Sequence, residues 1–208
     1  DMIQQMVGAA DRIVNEAQPI VDTRLPDGSR VNIVLQPVSL DGSCISIRKF
    51  CGIPMNLAYL VQSEAISEEA AELLKLLVKA GYNIFISGGT GSGKTTFLNA
   101  LSEYIPEGER VITIEDSAEL QLNNIKNLVR LETRPANGQG AQEISIRDLI
   151  RTALRMRPDR IVVGECRGGE IVDLLRALNS GHRGGMTTLH ANQVTAVPSR
   201  LVALGLLS

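Results

Sequence analysis

One short segment constrains the fold of this 208-residue chain more than any other feature. Residues 88–95 have the pattern G-x-x-x-x-G-K-T, and they lie between an apolar run at 84–86 and a helical pattern that begins at about Lys94. A strand, a glycine-rich turn and a helix in this order form a phosphate-binding loop, because the turn can point several backbone N–H groups at a phosphate. The segment therefore predicts a nucleotide site on a parallel α/β sheet.

Each part of this motif has a predicted role. The turn and the positive end of the following helix would hold the phosphates. Lys94 would reach the β- and γ-phosphates, and the Thr95 hydroxyl would bind Mg²⁺. ATP and Mg²⁺ are thus the predicted cofactors. The predicted binding residues of the loop are Gly88, Gly89, Thr90, Gly91, Ser92, Gly93, Lys94, Thr95 and Thr96.

The remaining hydrophobic pattern divides the chain into three parts. Helical and apolar segments alternate over 67–208, which predicts one α/β domain with a mainly parallel sheet and a mobile loop at 137–140. Residues 1–50 show alternating apolar positions and turn signals, which predicts a small β-rich unit with one leading helix. A linker is predicted over 51–66. The apolar runs that indicate further strands cover 111–114, 128–131, 161–163 and 186–189.

Composition excludes several classes of protein. Hydrophobic residues make up 44% of the chain and charged residues 21%, as in globular domains, and no apolar stretch is long enough to span a membrane. The net charge of −2 provides no overall attraction to nucleic acid. The three cysteines show neither metal-site spacing nor a disulfide framework, which predicts reduced thiols in a cytoplasm. The first residue is Asp and no leader sequence is visible, so we expect a fragment trimmed at one or both ends.

Acidic residues follow two of the predicted strands. Glu115 and Asp116 end one apolar run, and Glu165 follows another. Because the carboxyl ends of parallel strands meet at one edge of the sheet, we expect these carboxylates beside the phosphate loop. One could orient or deprotonate the attacking water, and another could hold the Mg²⁺ shell. Glu165 is one methylene longer than the aspartate usual on the magnesium side, which predicts contact through water.

Structural roles remain open for the same carboxylates. Glu115 and Asp116 could form a solvated strand end or a helix cap. Glu165 could form a salt bridge to Arg160 or Arg167.

The histidines and arginines complete the candidate set. His182 and His190 fall in one short segment, and His190 follows the last predicted strand, where an imidazole could hydrogen-bond a γ-phosphate. An arginine that supplies positive charge in the transition state can raise the rate by roughly 10³- to 10⁵-fold. Ordinary surface or core roles remain open for both residue types. The candidate arginines are Arg24, Arg30, Arg48, Arg130 and Arg134.

In this order, the phosphate loop, the acidic segment 114–120, the segment 156–165 and the double-histidine segment resemble the ATPases of type II and type IV secretion and type IV pilus systems. The closest likeness is to the branch that drives assembly of tight-adherence (Flp) pili. The likeness covers almost the whole chain. Segments similar to that branch are 130–135 and 167–170, with 24–32 and 46–50 for its N-terminal domain.

The resemblance implies a RecA-like P-loop ATPase core with a mainly parallel sheet, preceded by a small α+β N-terminal domain. It also implies a homohexameric ring that hydrolyses ATP at the cytoplasmic face of the inner membrane, where a membrane platform protein holds it. Two departures matter: the tetra-cysteine zinc element of some relatives is absent, and the chain stops at Ser208, before the helices that usually follow.

Roles for single residues also follow from the resemblance. The acidic segment corresponds to the family's Asp box, which gives Glu115 the catalytic role, and Glu165 falls at the Walker B position. The histidine segment corresponds to the His box, and arginines from the N-terminal domain reach the phosphates. The predicted catalytic residues are Lys94, Glu115, Glu165, His190 and Arg48. The further predicted nucleotide contacts are His182, Arg24 and Arg30.

Other functions remain open beside the secretion motor. A RecA-like nucleic-acid translocase or a conjugation-type ATPase would share the nucleotide site. However, the net charge and the aromatic content of 3% offer few stacking platforms, so no direct nucleic-acid contact is expected. A small-molecule P-loop kinase would need a lid and an acceptor pocket in place of the β-rich unit.

Overall fold

The computed structural model of the chain describes residues 2–8, 14–49, 55–136 and 142–207. The chain forms two compact units, divided between positions 54 and 55. The predicted mobile loop at 137–140 and the Cys51 thiol lie outside the described residues. Cys44 and Cys166 are free thiols. None of the described helices is long and apolar enough to cross a lipid bilayer.

The first unit is a three-stranded antiparallel sheet with one helix. Its elements are α1 (Met2–Gly8), β1 (Ile20–Arg24), β2 (Arg30–Val34) and β3 (Cys44–Arg48), and the strands lie in the order β1-β2-β3. Alternate side chains of the strands point to one face of the sheet and form a small apolar core with the helix. The alternating apolar positions of the sequence predict this arrangement. The buried residues of this core are Val7, Val14, Val21, Val31 and Ile33.

The second unit is built on a five-stranded parallel sheet with the strand order β4-β8-β7-β5-β6. The strands are β4 (Ile84–Gly88), β5 (Arg110–Glu115), β6 (Asn127–Glu132), β7 (Arg160–Cys166) and β8 (Met186–His190). The helices are α2 (Leu57–Gln62), α3 (Glu68–Lys79), α4 (Lys94–Ser102), α5 (Ile146–Ala153), α6 (Glu170–Asn179) and α7 (Val197–Gly205). The predicted fold class, a mainly parallel α/β sheet after a small α+β unit, is confirmed.

Helices cover both faces of the parallel sheet. Ile161 and Val163 of β7 pack with α5 and α6, and Val162 between them packs with α4 on the other face. Strands that are buried on both faces need apolar residues at every position, because successive side chains point to opposite faces. This explains why the strands of this unit appear in the sequence as continuous apolar runs.

The predicted linker at 51–66 differs from the structure. Residues 57–62 form α2, because the Asn56 side chain accepts a hydrogen bond from the Tyr59 N–H and caps the helix. Leu57 is fully buried in the core of the second unit. The short apolar patch in this segment is therefore the buried side of a one-and-a-half-turn helix, too short to show a helical period in the sequence.

The pairing of the strands shows which residues share one edge of the parallel sheet. Gly88 at the end of β4 pairs with His190 at the end of β8, and Glu115 at the end of β5 pairs with Glu132 at the end of β6. The residues after β4, β5, β7 and β8 therefore lie along one edge. This is the edge where parallel α/β sheets bind ligands.

Candidate functional site

The phosphate loop joins β4 to α4, as predicted. Gly91 and Gly93 have φ angles of 73° and 86°, in the left-handed region that side chains rarely adopt. A Cβ on either glycine, or on Gly89, would meet no described atom within 4 Å, whereas a Cβ on Gly88 would lie 2.5 Å from the Ser92 Oγ. The loop is therefore tightly folded at its base and open above, as a phosphate cradle requires.

Lys94, the first residue of α4, lies across this loop. Its Nζ donates to the carbonyl oxygens of Gly88 at 3.1 Å and Gly89 at 2.7 Å. Thr95 and Thr96 follow on the first turn and are half-buried. The structure thus places the ammonium group and both hydroxyl residues at the loop, where the motif predicts them.

Glu165 lies in an irregular part of β7. The register between β7 and β8 shifts between Val163 and Cys166, and such irregularities near sites re-aim side chains. The Glu165 Oε2 accepts from Arg167 Nη2 at 2.7 Å and from Arg167 Nε at 2.9 Å. The salt bridge to Arg167, left open from the sequence, is present, and Arg160 instead pairs with Glu109.

The other oxygen of Glu165 lies beside His190. The His190 Nε2 is 2.8 Å from Glu165 Oε1. That oxygen is nevertheless buried, with no aligned hydrogen-bond donor among the described residues. The structure therefore brings His190 to the predicted edge, in contact with the predicted Walker B carboxylate.

Glu115 ends β5 with its side chain almost fully buried, at 3% exposure. Its Oε2 accepts from the N–H groups of Glu119 at 2.7 Å and Leu120 at 2.9 Å, so it anchors the turn that follows the strand. Burial raises the pKa of Glu115, and these hydrogen bonds offset the rise only in part. Glu115 therefore matches neither alternative left open from the sequence, because it is buried and no described helix begins in the turn that it anchors.

The two glutamates share one unusual feature. Glu115 Oε1 is also buried without a hydrogen-bond donor in the described part of the chain. A Cβ on Gly164, the neighbour of Glu165, would lie 3.0 Å from the Glu115 Cγ, so the Glu115 side chain packs on the strand that carries Glu165. Each carboxylate therefore has one oxygen held by protein donors. The second oxygen of Glu115 is left for a water molecule or a cation, whereas the second oxygen of Glu165 lies beside the His190 Nε2 without an aligned hydrogen bond.

The protein oxygen atoms at this edge suit Mg²⁺ only if other ligands complete its coordination. The described residues contain no group of three or more His, Cys, Asp or Glu side chains that could hold a metal ion alone. The Thr95 hydroxyl and the Glu165 carboxylate are hard oxygen donors, which suit Mg²⁺ when phosphate oxygens and water complete its coordination. The residues present therefore fit a magnesium ion that arrives with a nucleotide.

Two residues near the acidic turn had no sequence signal of their own. The Asn99 Oδ1 on α4 accepts from the Gln121 N–H at 3.0 Å, which ties the helix after the phosphate loop to the turn after β5. Glu119, on that turn, is half-buried and lies within electrostatic range of Glu115 and Arg167. A single polar residue on a helix is too common a pattern to predict such a contact.

Three further candidates of the second unit, His182, Arg130 and Arg134, lie outside the phosphate loop. His182 precedes β8, which begins at Met186 and ends with His190 at the phosphate edge, so His182 lies toward the opposite edge of the sheet, a strand length of about 13 Å or more away. The structure does not bring it to the phosphate loop. The Arg130 Nη2 donates to the Leu120 carbonyl of the acidic turn, whereas the Arg134 Nη2 donates to the Gln142 carbonyl.

The arginines of the first unit form a row across its three strands. Arg24 pairs with Arg30, and Arg30 pairs with Arg48, so the three are direct cross-strand neighbours. Like charges in directly opposite positions repel one another. Asp22 lies 3.8 Å from Arg30 and neutralises part of the charge. A row of this kind is suited to bind an anion with several charges, such as a phosphate chain.

Comparisons with known proteins agree with this geometry. The model of the type II/IV secretion system protein family matches residues 2–208. A putative conjugal transfer protein of Mycobacterium tuberculosis is 45% identical over 99% of this chain and 60% of its own length. The type IV secretion system protein PtlH of Bordetella pertussis is 38% identical over 93% of this chain and 63% of its own. The chain thus spans about 60% of the length of these two relatives.

Solved structures give the same result. The VirB11 ATPase from the type IV secretion system of Brucella suis, in complex with sulphate, is 31% identical, with a TM-score of 0.61 over 95% of this chain and 63% of its own. The pilus retraction motor PilT with bound ADP is 25% identical, with a TM-score of 0.71 over 97% of this chain and 57% of its own.

Proposed function

This chain belongs to the type II/IV secretion system protein family, and we propose that it is an ATP-hydrolysing motor that powers protein secretion or pilus assembly. One observation carries the proposal. A phosphate loop lies at the same edge as two carboxylates. Each carboxylate has one buried oxygen without an aligned hydrogen bond in the described part of the chain, and that of Glu165 lies beside His190. A site that only bound nucleotide would need the loop alone, whereas hydrolysis also needs acceptors for a water molecule.

We propose that the nucleotide is ATP and that it binds together with Mg²⁺. Lys94 would exchange its carbonyl contacts for the β- and γ-phosphates, and the loop N–H groups would hold the phosphate chain. The Thr95 hydroxyl and, through water, Glu165 would hold the Mg²⁺. When bound, this ion supplies positive charge that neutralises the phosphates and fixes their orientation.

The remaining roles concern the attacking water and the γ-phosphate. We propose that Glu115 accepts the proton of the water at Oε1, the oxygen that the turn does not use. The raised pKa of Glu115 suits a general base, because a base is most effective when its pKa is near the working pH. His190, in contact with Glu165, would hydrogen-bond the γ-phosphate or its water and so respond to hydrolysis.

At the level of assembly, we propose a homohexamer at the cytoplasmic face of the inner membrane, held by a membrane platform protein. The arginine row of the first unit, with Arg48 foremost and Arg24 and Arg30 beside it, would supply the positive charge that the γ-phosphate needs in the transition state. The names of the similar proteins, which include secretion and pilus motors, support this placement. Assignment to the tight-adherence branch stays a prediction.

The test measures ATPase rate per chain against protein concentration, with mass determination on the same samples. We expect the rate to rise steeply as oligomers form, because a neighbouring arginine can contribute roughly 10³-fold or more. The rate should also disappear without Mg²⁺ and stay unchanged when DNA is added. A protein that binds no ATP, or that binds it without turnover in any oligomer, would refute the motor function.

A conjugation-type ATPase or nucleic-acid translocase is the second candidate. Relatives from Mycobacterium tuberculosis and Rhizobium radiobacter are named conjugal transfer proteins, the latter 34% identical over 98% of this chain. DNA-stimulated turnover would favour this candidate, whereas turnover that depends on a small phosphate acceptor would indicate a kinase. Both outcomes would leave the nucleotide site intact and change its partner.

A further inference from the structure

Arg167 makes an unusual pair of contacts at the functional edge. It follows β7 directly and is 67% exposed, yet two of its nitrogens donate to the same oxygen of Glu165. The third nitrogen of the guanidinium group, Nη1, lies 4.0 Å from the Asp116 Oδ2, on the turn after the neighbouring strand β5. Arg167 therefore spans the ends of two strands at the nucleotide edge.

The backbone of Arg167 is held as well. The Glu170 Oε1, at the start of α6, accepts from the N–H groups of Arg167 at 2.6 Å and Gly168 at 2.8 Å. A Cβ on Gly168 would lie 3.0 Å from the Glu170 Oε2, so the turn closes tightly around this carboxylate. Arg167 is thus held at its backbone by Glu170 and at its guanidinium group by Glu165 and Asp116. The guanidinium group can therefore hold the Glu165 carboxylate in a fixed position.

Stability does not account for this arrangement. Ion pairs with an exposed partner contribute little to the free energy of unfolding, because water and salt screen them. The consequence for Glu165 is more specific. With Oε2 held by two donors, rotation of the carboxylate is restricted, and the buried Oε1 faces His190, whose Nε2 lies 2.8 Å away without an aligned hydrogen bond.

We propose that Arg167 is a positioning residue that orients the Glu165 carboxylate toward the Mg²⁺–nucleotide complex. The proposal rests on the proposed function, since it assigns Glu165 Oε1 to the water shell of that ion. In this role Arg167 would act through Glu165 and not through a contact of its own with the ion or the nucleotide. Partners of this outer kind, which orient a metal-holding carboxylate, typically change metal affinity or activity by roughly 10- to 100-fold when they are replaced.

The sign of the change in Mg²⁺ affinity tests the proposal. A positive charge near a cation site repels the cation, so its removal alone would strengthen Mg²⁺ binding. Loss of orientation would weaken it. We expect Arg167→Gln to need about tenfold more Mg²⁺ for half-maximal binding of a non-hydrolysable ATP analogue, measured by fluorescence anisotropy with the full chain. Binding of the same analogue in EDTA should stay unchanged.

A matched control separates the local effect from the loss of one charge. Arg176, in the last turn of α6, is exposed and lies far along the helix from Glu165, so Arg176→Gln should leave the Mg²⁺ dependence as it is in the wild type. If Arg167→Gln does not fold by circular dichroism, Arg167→Lys replaces it. Lysine keeps the positive charge but cannot donate to Glu165 from two nitrogens of a planar group, so this variant should also weaken Mg²⁺ binding.

Two results would overturn the proposal. Wild-type or tighter Mg²⁺ dependence in the Arg167 variant would show that Glu165 needs no orientation from Arg167. Equal weakening in the Arg176 variant would show that only overall charge matters. If the wild-type chain bound no Mg²⁺–nucleotide at all, the proposed function and this inference would fail together, whereas a normal wild-type response isolates the failure to Arg167.

Discussion

At the scale of single residues, Lys94 is the most direct test of the phosphate loop. Its two carbonyl contacts are within the loop, so its removal leaves no buried partner charge. We expect Lys94→Ala to weaken ATP binding by about 10- to 100-fold, as the loss of a hydrogen bond to a charged group predicts, and to abolish turnover. Isothermal titration with ATP measures the first effect. Lys79→Ala, at the exposed end of α3, is the control and should bind as the wild type does.

Glu115 carries two tasks that substitution can separate. Glutamine keeps an oxygen that can accept from the N–H groups of Glu119 and Leu120, but it cannot accept a proton from water. We expect Glu115→Gln to retain ATP and lose turnover by roughly 10²- to 10⁴-fold, measured by phosphate release. Glu119→Gln is the comparison. Near-normal turnover in Glu115→Gln together with its loss in Glu119→Gln would move the base to Glu119 and leave Glu115 as the anchor of the turn.

The raised pKa of Glu115 also predicts how stability depends on pH. The unfolded chain releases this proton near the ordinary value of 4.5, whereas burial makes the folded protein retain it to higher pH. This group's contribution to the free energy of unfolding therefore falls as the pH rises from 4.5 through the raised pKa. We expect Glu115→Gln to gain stability relative to the wild type over that interval, measured by urea denaturation at several pH values. A difference that does not change with pH would contradict this linkage.

At the scale of elements, α5 shows how a local sequence signal fixes a helix start. The Ser145 side chain accepts from the Asp148 N–H, and the Asp148 side chain accepts from the Ser145 N–H, which together form a capping box. We expect Ser145→Ala to lower the free energy of unfolding by about 1 kcal/mol, measured by urea denaturation, because the Asp148 N–H loses its acceptor. Ser145→Thr keeps the hydroxyl and should be near neutral. Equal loss in both variants would assign the effect to packing.

Local signals of this kind made most elements of the second unit predictable. Continuous apolar runs predicted the five strands, and the glycine-lysine motif predicted the connection from β4 to α4. The α2 helix was missed because six residues are too few to display a helical period, and its burial depends on contacts with α3 and α4. The histidine motif assigned both His182 and His190 to the nucleotide, although the predicted strand at 186–189 separates them. In the structure only His190 lies at the phosphate edge, because β8 begins after His182.

The acidic edge was predictable in its location but not in its contacts. Glu115 and Glu165 end parallel strands, so their common edge followed from topology. The sequence left two salt-bridge partners open for Glu165, and the structure selects Arg167. The contact of Arg167 with Asp116 and that of Asn99 with the turn after β5 had no local signal, because they arise only when the elements are placed side by side in the folded sheet.

At the scale of the whole molecule, the arginine row raises the question of why three like charges are kept adjacent. Arg24, Arg30 and Arg48 oppose one another across antiparallel strands, where like charges repel at some cost in stability, and Asp22 offsets part of this repulsion at Arg30. A need for these positive charges at the nucleotide of an assembled ring would explain why this loss of stability is tolerated. The row would then matter for turnover in the oligomer and have little effect on binding of ATP by a single chain.

This reasoning predicts a separation of activity from affinity in Arg48→Ala. We expect turnover in the assembled protein to fall by up to roughly 10³-fold, the range typical of an arginine that stabilises the transition state, with ATP affinity of the dilute monomer within about twofold of the wild type. Lys49→Ala removes the adjacent exposed charge outside the paired row and is the control. Phosphate release and ATP titration, each paired with mass determination, give the two readouts. Equal losses of turnover and affinity would mean that Arg48 supports the fold of its own unit, and would remove the arginine row from the nucleotide site.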